Sequence, residues 1–317
     1  MAIVKYIVKK LALLVPVLVG ISIIAFALGT MAPGDPVEQY LNPDGNTVYS
    51  QEEYDAARHK LGLDQPAAIQ YLVWLQNLMK GDLGRSFFTQ KTILSQLQKR
   101  IPVSIRLAMY SMALTLLFGI GFGVLMALFQ DTWIDRALSG LATVALSVPG
   151  FWVAIVLIYL FAETWKILPT SGITQSRGYI LPAVTMSLSS IGVCSRLTRT
   201  SILDELSRQY VTVASAKGMR RRRTVICHAL CNAMIPVVTY LGTHLAGILG
   251  GASIVETIFS IPGIGSYAIT AVQSKDYLVV QAYVLFSGTV YVAANILIDL
   301  MYLLINPKIR AGEGTRI

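Results

Sequence analysis

Long stretches without a charged residue recur along the sequence, and they limit the fold more than any other feature. The first is Leu11–Ala32, which has 22 residues and follows three lysines. About 20 apolar residues cross the hydrocarbon core of a bilayer as a helix. The later uncharged runs are Leu107–Gln130, Ala137–Ala162, Gly178–Ser195, Thr224–Val255, Thr257–Ser274 and Tyr277–Ile298. This pattern predicts an all-α membrane protein.

The composition excludes an ordinary soluble domain. Charged residues make up 14% of the 317 residues and hydrophobic residues 54%, whereas about 25% of the residues in a soluble domain are charged. The net charge of +9 would suit nucleic acid, but the densest basic run, Arg220–Arg223, borders a predicted span. Positive-inside topology and attraction to anionic lipid explain that run. We therefore expect a lipid membrane, and no nucleic acid, among the partners.

One of the seven runs is not expected to cross the membrane. Thr257–Ser274 contains a proline, two glycines and several polar side chains, and non-helical backbone at membrane depth is tolerated only inside protein or beside a watery cavity. A re-entrant or surface loop is predicted there, which leaves six transmembrane helices. Pro149-Gly150 should interrupt the third span, and Pro182 should kink the fourth.

The distribution of basic residues predicts the orientation. With the N-terminus inside, the cytoplasmic pieces carry 15 Lys and Arg residues, against three in the two short external loops. Because short cytoplasmic loops are enriched in Lys and Arg, both termini are predicted to be cytoplasmic. A cleaved signal peptide ending near Ala27-x-Gly29 is the alternative to a retained first helix. The length of the first run favours retention, since the apolar part of a signal peptide usually has about 7–15 residues.

Residues 33–101 are hydrophilic and should form a small helical extracytoplasmic segment between helices 1 and 2. Pro33-Gly34-Asp35-Pro36 ends the first helix. Gln51–Leu61 and Pro66–Lys80 are predicted as two short helices, with Pro66 in a first helical turn. Whether this segment is a packed cap or a docking surface for a partner stays open.

The polar stretch before Arg220–Arg223 has the pattern of a short amphipathic helix, predicted over Ile202–Lys217. Its apolar side chains fall on one stripe at helical spacing, and they are Leu203, Leu206, Tyr210 and Val213. Gly218 follows directly and is suited to a C-terminal cap. A protruding amphipathic helix of this kind fits a groove on another protein.

The stretch Tyr210–Pro236 resembles the cytoplasmic "EAA" loop of ABC-importer permeases in peptide- and nickel-type systems. The matching positions are Tyr210, Val211, Ala214, Ala216, Lys217, Gly218, His228, Ala229, Leu230, Asn232, Ala233, Ile235 and Pro236. The resemblance implies the type I ABC importer permease fold and a coupling helix that docks on an ATPase subunit. The ATPase-coupling residues that it implies are Leu206, Tyr210, Val213, Ala214, Ala216, Lys217, Gly218, Met219 and Arg220. Ser215 and Cys231 stand where basic residues are frequent in the family.

The same resemblance covers the outer side of the chain. The sequences APGDP, LGLDQP, QYLVWL and GDLGRSF look like the exported segment of these permeases. Ile254–Gln281 is similar to the external scoop loop, which enters the substrate-binding protein and loosens its ligand. The contact residues that the resemblance implies are Phe259, Ile261, Pro262, Gly263 and Gly265. The two glycines should permit tight backbone turns, and Ile261 replaces an aromatic residue that many relatives carry.

The resemblance extends over the chain to the sequence NPKIR at Asn306–Arg310. It implies a first helix with an extracytoplasmic segment (1–101), an ABC transmembrane type-1 permease domain (102–305) with coupling loop 196–223 and scoop loop 256–276, and a cytoplasmic tail (306–317). The implied importer lies in a bacterial inner membrane and contains a homologous second permease, two ATP-binding subunits and an extracytoplasmic substrate-binding protein. Di- or oligopeptides are the expected substrate, and nickel, a metal–metallophore complex and glutathione are the alternatives.

No sequence motif for catalysis occurs in the chain. It has no phosphate-binding loop, nucleophile elbow or HExxH helix, so we expect a non-enzymatic subunit without cofactors, in which partner subunits hydrolyse ATP. Cys227-His228-x-x-Cys231 falls short of the four ligands of a closed zinc site, so no metal is expected. The predicted spans have no acid at mid-membrane, since Glu256 and Asp299 lie at their ends. A secondary transporter is therefore the weaker alternative, together with a signalling subunit that uses residues 33–101 as a sensor.

Overall fold

The computed structural model describes residues 2–31, 35–42, 45–173, 175–211, 219 and 221–305. Over these residues the chain is helical, and the only β-pairing is an isolated bridge between Arg85 and Thr92. The prediction of an all-α protein is confirmed.

Thirteen helices organise the described residues. They are α1 (Ala2–Met31), α2 (Pro36–Leu41), α3 (Gln51–Lys60), α4 (Ala67–Met79), α5 (Ile93–Leu128), α6 (Trp133–Ser147), α7 (Gly150–Thr164), α8 (Ile180–Leu206), α9 (Arg221–Thr224), α10 (Leu230–Gly251), α11 (Ser253–Ile258), α12 (Ile264–Gln273) and α13 (Tyr277–Ile305). π-Helical turns occur within α5 (Thr115–Ile120), at the end of α7 (Ile158–Thr164) and between α9 and α10 (Val225–Ala229).

The short helices of the hydrophilic segment begin where capping chemistry favours a start. Helix α3 begins with a capping box, in which the Ser50 hydroxyl accepts from the Glu53 amide and the Glu53 carboxylate accepts from the Ser50 amide. The hydrogen bond from Ser50 lowers the pKa of Glu53. Both helices predicted here are confirmed to within a residue. Pro66 is the residue directly before α4 rather than part of its first turn.

Several helices are long and apolar enough to cross a membrane. Three qualify by length and composition: Ile93–Leu128, Ser176–Leu206 and Tyr277–Ile298. Helices α6 and α7 qualify together but are bent by 101° at Val148 and Pro149, which separate them, so the predicted break is confirmed. Pro182 causes no break, because it lies in the first turn of α8, where its missing N–H would have no partner within the helix.

The segment that was excluded as a span is not one continuous helix. Helix α11 ends at Ile258, and α12 covers only the ten residues from Ile264 to Gln273. Neither helix reaches the length that a bilayer requires, so this prediction is confirmed.

One compact unit comprises residues 3–104 and 262–292. Its core joins α5, α12 and α13 through the buried residues Ile93, Leu97, Ile264, Tyr267, Ala271, Val279 and Ala282. Two glycines bring α1 and α13 close together, since a Cβ at Gly29 would overlap Gln281 and a Cβ at Gly288 would overlap Ile21. Small residues allow this close packing of membrane helices.

A second compact unit comprises residues 105–261 and the described residues from 293 onward. Helix α8 is its central element and contacts α5, α6, α7 and α10. The approach of α5 is close, because a Cβ at Gly119 would overlap Cys194 and a Cβ at Gly123 would overlap Thr198.

Candidate functional site

The helix predicted over Ile202–Lys217 does not begin at Ile202. The sequence predicted a new helix from Ile202, but α8 continues without a break to Leu206, and the chain turns at Ser207 and Arg208. The predicted start was wrong because the apolar side chains of Ile202, Leu203 and Leu206 pack inside the chain. They therefore do not form the free face of a separate helix. A helical turn resumes at residues 209–211.

Residues on both sides of the predicted coupling segment are packed into one apolar cluster. Ile202 from α8 lies against Val225 and Ala229 from the π-helical turn, with Ala127 of α5 and Ala233 of α10 completing the cluster. All five residues are buried. A displacement of the segment would therefore be transmitted to α5, α8 and α10, because close-packed cores do not deform freely.

Two residues of the EAA-like sequence hold the first turn of this segment. The Tyr210 hydroxyl donates to the Glu205 carboxylate at 2.8 Å, and the Asn232 amide donates to the same hydroxyl at 3.3 Å. Partial burial raises the pKa of Tyr210. The hydrogen bonds give Tyr210 and Asn232, which are 22 residues apart, a shared structural role.

The remaining predicted coupling residues are only partly described. Met219 is half-buried, and Leu206 packs at the edge of the apolar cluster. The other positions lie outside the described residues, and they are Val213, Ala214, Ala216, Lys217, Gly218 and Arg220. The side chains of Cys227, His228 and Cys231 also lie outside the described part of the chain.

A partly buried ion pair close to the predicted coupling segment was not predicted from the sequence. Arg199 of α8 donates two hydrogen bonds to Asp135 of α6, from Nε at 2.8 Å and from Nη2 at 2.7 Å. The Asp131 amide also donates to the Asp135 carboxylate at 3.0 Å. Asp135 is 4% exposed. The sequence does show an acid on α6 and a base on α8, which are both mostly apolar helices. Because these residues are 64 positions apart, no local pattern pairs them.

The predicted scoop loop contains a sharp turn, and its position differs from the expected one. Ser260 has φ of 51°, in the left-handed region. Gly263 has φ of −92° in extended backbone, and Gly265 lies in helix α12. The expectation that these two glycines make the turn was therefore wrong. Ser260 instead follows α11, where it donates its amide hydrogen to the Thr257 carbonyl oxygen at 3.1 Å.

Most of the predicted scoop residues are buried within the chain. Phe259 and Ile261 are 2% and 1% exposed, and Gly263 and Gly265 are buried as well. Among the five predicted contacts, only Pro262 is exposed, and Ser260 beside it is exposed too. The Phe259 carbonyl accepts a hydrogen bond from the Gly172 amide of the loop before α8 at 2.9 Å. The buried residues thus serve as anchors, and the turn offers only a small outer surface.

Helix α12, which follows this turn, is fastened to α5. The Ser104 hydroxyl accepts from the Ile264 amide at 2.9 Å, which satisfies one free N–H at the start of α12. The Arg100 guanidinium lies 4.5 Å from the centre of the Tyr267 ring and donates to the Gly263 carbonyl at 3.4 Å. Burial, with the nearby Asp276 charge, raises the pKa of Tyr267 to about 12.

Two buried acids lie next to this region. Glu256, at the end of a predicted span, lies in the first turn of α11 and is fully buried. Asp276 precedes α13 and accepts from the Ser86 hydroxyl at 2.5 Å. The Phe88 amide donates to the same carboxylate oxygen at 3.4 Å. Asp276 thereby ties the loop before α5 to the start of α13.

The chain is similar in sequence to known proteins along most of its length. Residues 119–311 match the family "Binding-protein-dependent transport system inner membrane component", and residues 3–108 match the N-terminal region of such membrane components. A protein of Brucella abortus strain 2308 named as a peptide transport system permease is 36% identical over 312 residues, covering 96% of this chain and 98% of its own.

Two further proteins are similar to the chain, one in sequence and one in structure. The glutathione transport system permease GsiC of Escherichia coli K12 is 34% identical, with coverage of 96% of this chain and 99% of its own. An inward-facing structure of the MetNI methionine ABC transporter has 14% identity and a TM-score of 0.48, over 67% of this chain and 92% of that one; this likeness is too low to bear on the fold. On the family matches and the full-length relatives, the chain belongs to the family of binding-protein-dependent transport system inner membrane components.

Proposed function

We propose that this chain is one of two permease subunits of an ATP-driven, binding-protein-dependent importer of di- or oligopeptides. The observation that carries the proposal is the similarity to permeases named for peptide and glutathione transport along nearly the whole chain. The chain would cross a bacterial inner membrane six times, with both termini in the cytoplasm, and residues 33–101 would lie outside. Its role would be to form half of the translocation pathway without catalysing a reaction.

Coupling to ATP hydrolysis would occur through residues 206–220. The partner there would be one of two ATP-binding subunits, which receives the segment in a groove. The packed cluster at both ends of the segment supports this role, because Ile202 and Val225 carry its position into three helices of the transmembrane unit. Closure of the ATPase pair would then shift these helices and alternate the access of the pathway.

Contact with the extracytoplasmic binding protein would occur at the turn after α11. The exposed pair Ser260 and Pro262 supports this assignment, since Phe259 and Ile261 beside them hold the turn from within. A turn that is fixed before contact loses little conformational entropy on binding. The loaded binding protein would thus meet a preformed surface.

Glutathione is the second candidate substrate. It is a tripeptide, and the E. coli relative that matches at full length is named for it. Peptide import in general remains the preferred assignment because the Brucella relative is named for peptide transport.

Purification of the tagged chain from native membranes in mild detergent, followed by mass spectrometry, tests the assembly. We expect a homologous permease and two ATP-binding subunits to be retained, and a co-purifying binding protein would carry a peptide. Recovery of the chain alone, under conditions that preserve a known importer complex in parallel, would contradict the proposal and favour a self-sufficient transporter.

A further inference from the structure

Helix α4 has an unusual composition for a helix in a hydrophilic segment. Its 13 residues, Ala67–Met79, include no charged side chain, whereas the preceding helix α3 carries three acids and two bases in ten residues. None of the α4 side chains is buried within the chain. A helix with this composition in contact with water would expose apolar surface without the charged residues that normally accompany it.

The apolar side chains of α4 form a continuous exposed stripe. Leu72 and Met79 are 62% and 83% exposed, and Ile69 and Val73 are also exposed. At 100° per residue these four positions fall within about a third of the helix circumference, a stripe interrupted only by Gln76. Charged residues lie beyond both ends of the helix, with Asp64 before it and Lys80 after it.

The opposite face of α4 fixes its depth, because it contacts α1. The Tyr71 hydroxyl shares a 2.8 Å hydrogen bond with the Ser22 hydroxyl. Phe26, one turn further along α1, packs against the rings of Tyr71 and Trp74 at centroid distances of 5.4 and 5.8 Å. Helix α4 therefore lies beside the outer half of the first apolar helix, below its end at Met31.

The position of Ser22 along α1 gives the approximate depth of α4 below the end of α1 at Met31. At 1.5 Å per residue, Ser22 is about 14 Å and Phe26 about 8 Å from Met31 along the axis. The basic residues end at Lys10, so a hydrocarbon core about 30 Å thick that starts there extends close to Met31. Helix α1 also exposes apolar side chains in the same range of depth, namely Ile23, Ile24 and Leu28. Contact with lipid would cover them.

We propose that α4 is an interfacial helix embedded in the outer leaflet of the membrane. Leu72 and Met79 of its stripe would face acyl chains, whereas Ile69 and Val73 also line a cavity with Arg58 and Gln281. Asp64 and Lys80 would stay among the lipid head groups. Helices of this kind lie with their apolar face about 5–10 Å into the boundary of the acyl region. The contact with Phe26 lies within this range, and the contact with Ser22 lies about 4 Å deeper than its limit. Trp74 and Tyr71 have the amphipathic rings that favour this zone. The proposal rests on the outward topology of residues 33–101 in the proposed function.

Spin labels on the complete importer in proteoliposomes test this placement. Single cysteines would replace Leu72 and Met79 in a variant whose Cys194, Cys227 and Cys231 are changed to alanine. Glu52→Cys on the charged and exposed helix α3 is the matched control. The readout is the accessibility of each label to oxygen, which concentrates in lipid, relative to a water-soluble nickel chelate.

We expect the oxygen-to-nickel ratio at Leu72→Cys and Met79→Cys to exceed the ratio at Glu52→Cys several-fold. Equal ratios at the three sites would place α4 in water and overturn the proposal. Exclusion of both probes from Leu72→Cys would also overturn it, because the stripe would then be covered by a partner protein. Peptide uptake by the same proteoliposomes separates the placement of α4 from the proposed transport function. If uptake occurs but α4 is exposed to water, only the placement is rejected. If α4 is exposed to lipid but no uptake occurs, only the transport function is rejected.

Discussion

At the scale of single residues, charged groups inside the bundle are informative because each must have a partner. Asp135 and Arg199 meet this demand with two hydrogen bonds between α6 and α8. Removing one member of a buried ion pair leaves an uncompensated charge, whereas replacing both with apolar residues is often tolerated. The pair lies less than two helical turns before Leu206, where α8 ends. It therefore orients the end of α8 from which the coupling segment starts.

Arg199→Met should destabilise the assembled importer by about 3–5 kcal/mol, since it leaves the buried Asp135 carboxylate without its partner. Asp135→Ala should cost less, because the Arg199 side chain is 28% exposed and water can solvate it. The double variant Asp135→Leu with Arg199→Met should recover much of the loss. Thermal unfolding of the purified complex measures all three. A double variant that is no more stable than either single variant would contradict this account of the pair.

A second residue-scale prediction concerns Tyr267, whose buried hydroxyl has no hydrogen-bond partner among the described residues. Tyr267→Phe should leave the melting temperature unchanged or slightly raised, because it removes an unsatisfied polar group. Arg100→Leu should lower it, since the cation–π contact is lost, a contact that contributes about 0.5–2 kcal/mol. If Tyr267→Phe lowered the melting temperature more than Arg100→Leu, the Tyr267 hydroxyl would have a hydrogen-bond partner in the assembly.

At the scale of elements, the predicted coupling segment and the turn at Ser260, proposed to lie outside the membrane (the outer turn), are both short connections between helices. The sequence predicted a helix starting at Ile202 and a turn made by Gly263 and Gly265, and both expectations were wrong. Ile202–Leu206 extends α8 because tertiary packing covers its apolar side chains. Ser260 makes the outer turn although serine rarely adopts positive φ. Helix propensity and the spacing of apolar residues do not show which side chains tertiary packing will cover or which residue will adopt positive φ.

Substitution of Ala214 by Trp should abolish ATP-dependent uptake, because a large ring in the coupling segment would obstruct its docking on the ATPase subunit. Membrane insertion and the amount of chain in the membrane should not change. Gln209→Ala, an exposed position in the same segment but outside the motif, is the control. Normal uptake by Ala214→Trp would refute the coupling assignment.

The outer turn calls for a single substitution rather than a deletion. Removing Ser260–Ser266 would also remove Ile261 and Ile264, which are buried. Pro262→Arg should instead reduce stimulation of ATP hydrolysis by the loaded binding protein while leaving basal hydrolysis intact. Gln273→Arg, at the exposed end of α12, should have no effect. Undiminished stimulation in Pro262→Arg would remove Pro262 from the contact surface.

At the scale of the whole molecule, the sequence was sufficient for the fold class, the family and the break at Pro149. Hydrophobic runs and helix-breaking residues are local properties, so they can be recognised without a structure. Contacts between distant residues could not be predicted, as Asp135 with Arg199 and Ser86 with Asp276 illustrate. Each of these pairs depends on how helices pack, and no pattern within either segment identifies the partner.

The most direct test of the importer assignment is peptide uptake by proteoliposomes that contain this permease, its homologous partner and both ATP-binding subunits. With ATP at the ATPase side and the loaded binding protein at the other, we predict accumulation of labelled di- or tripeptide. Omission of ATP, of the binding protein or of either permease should abolish accumulation. Uptake by this chain alone, or uptake driven by a proton or sodium gradient without ATP, would contradict the account.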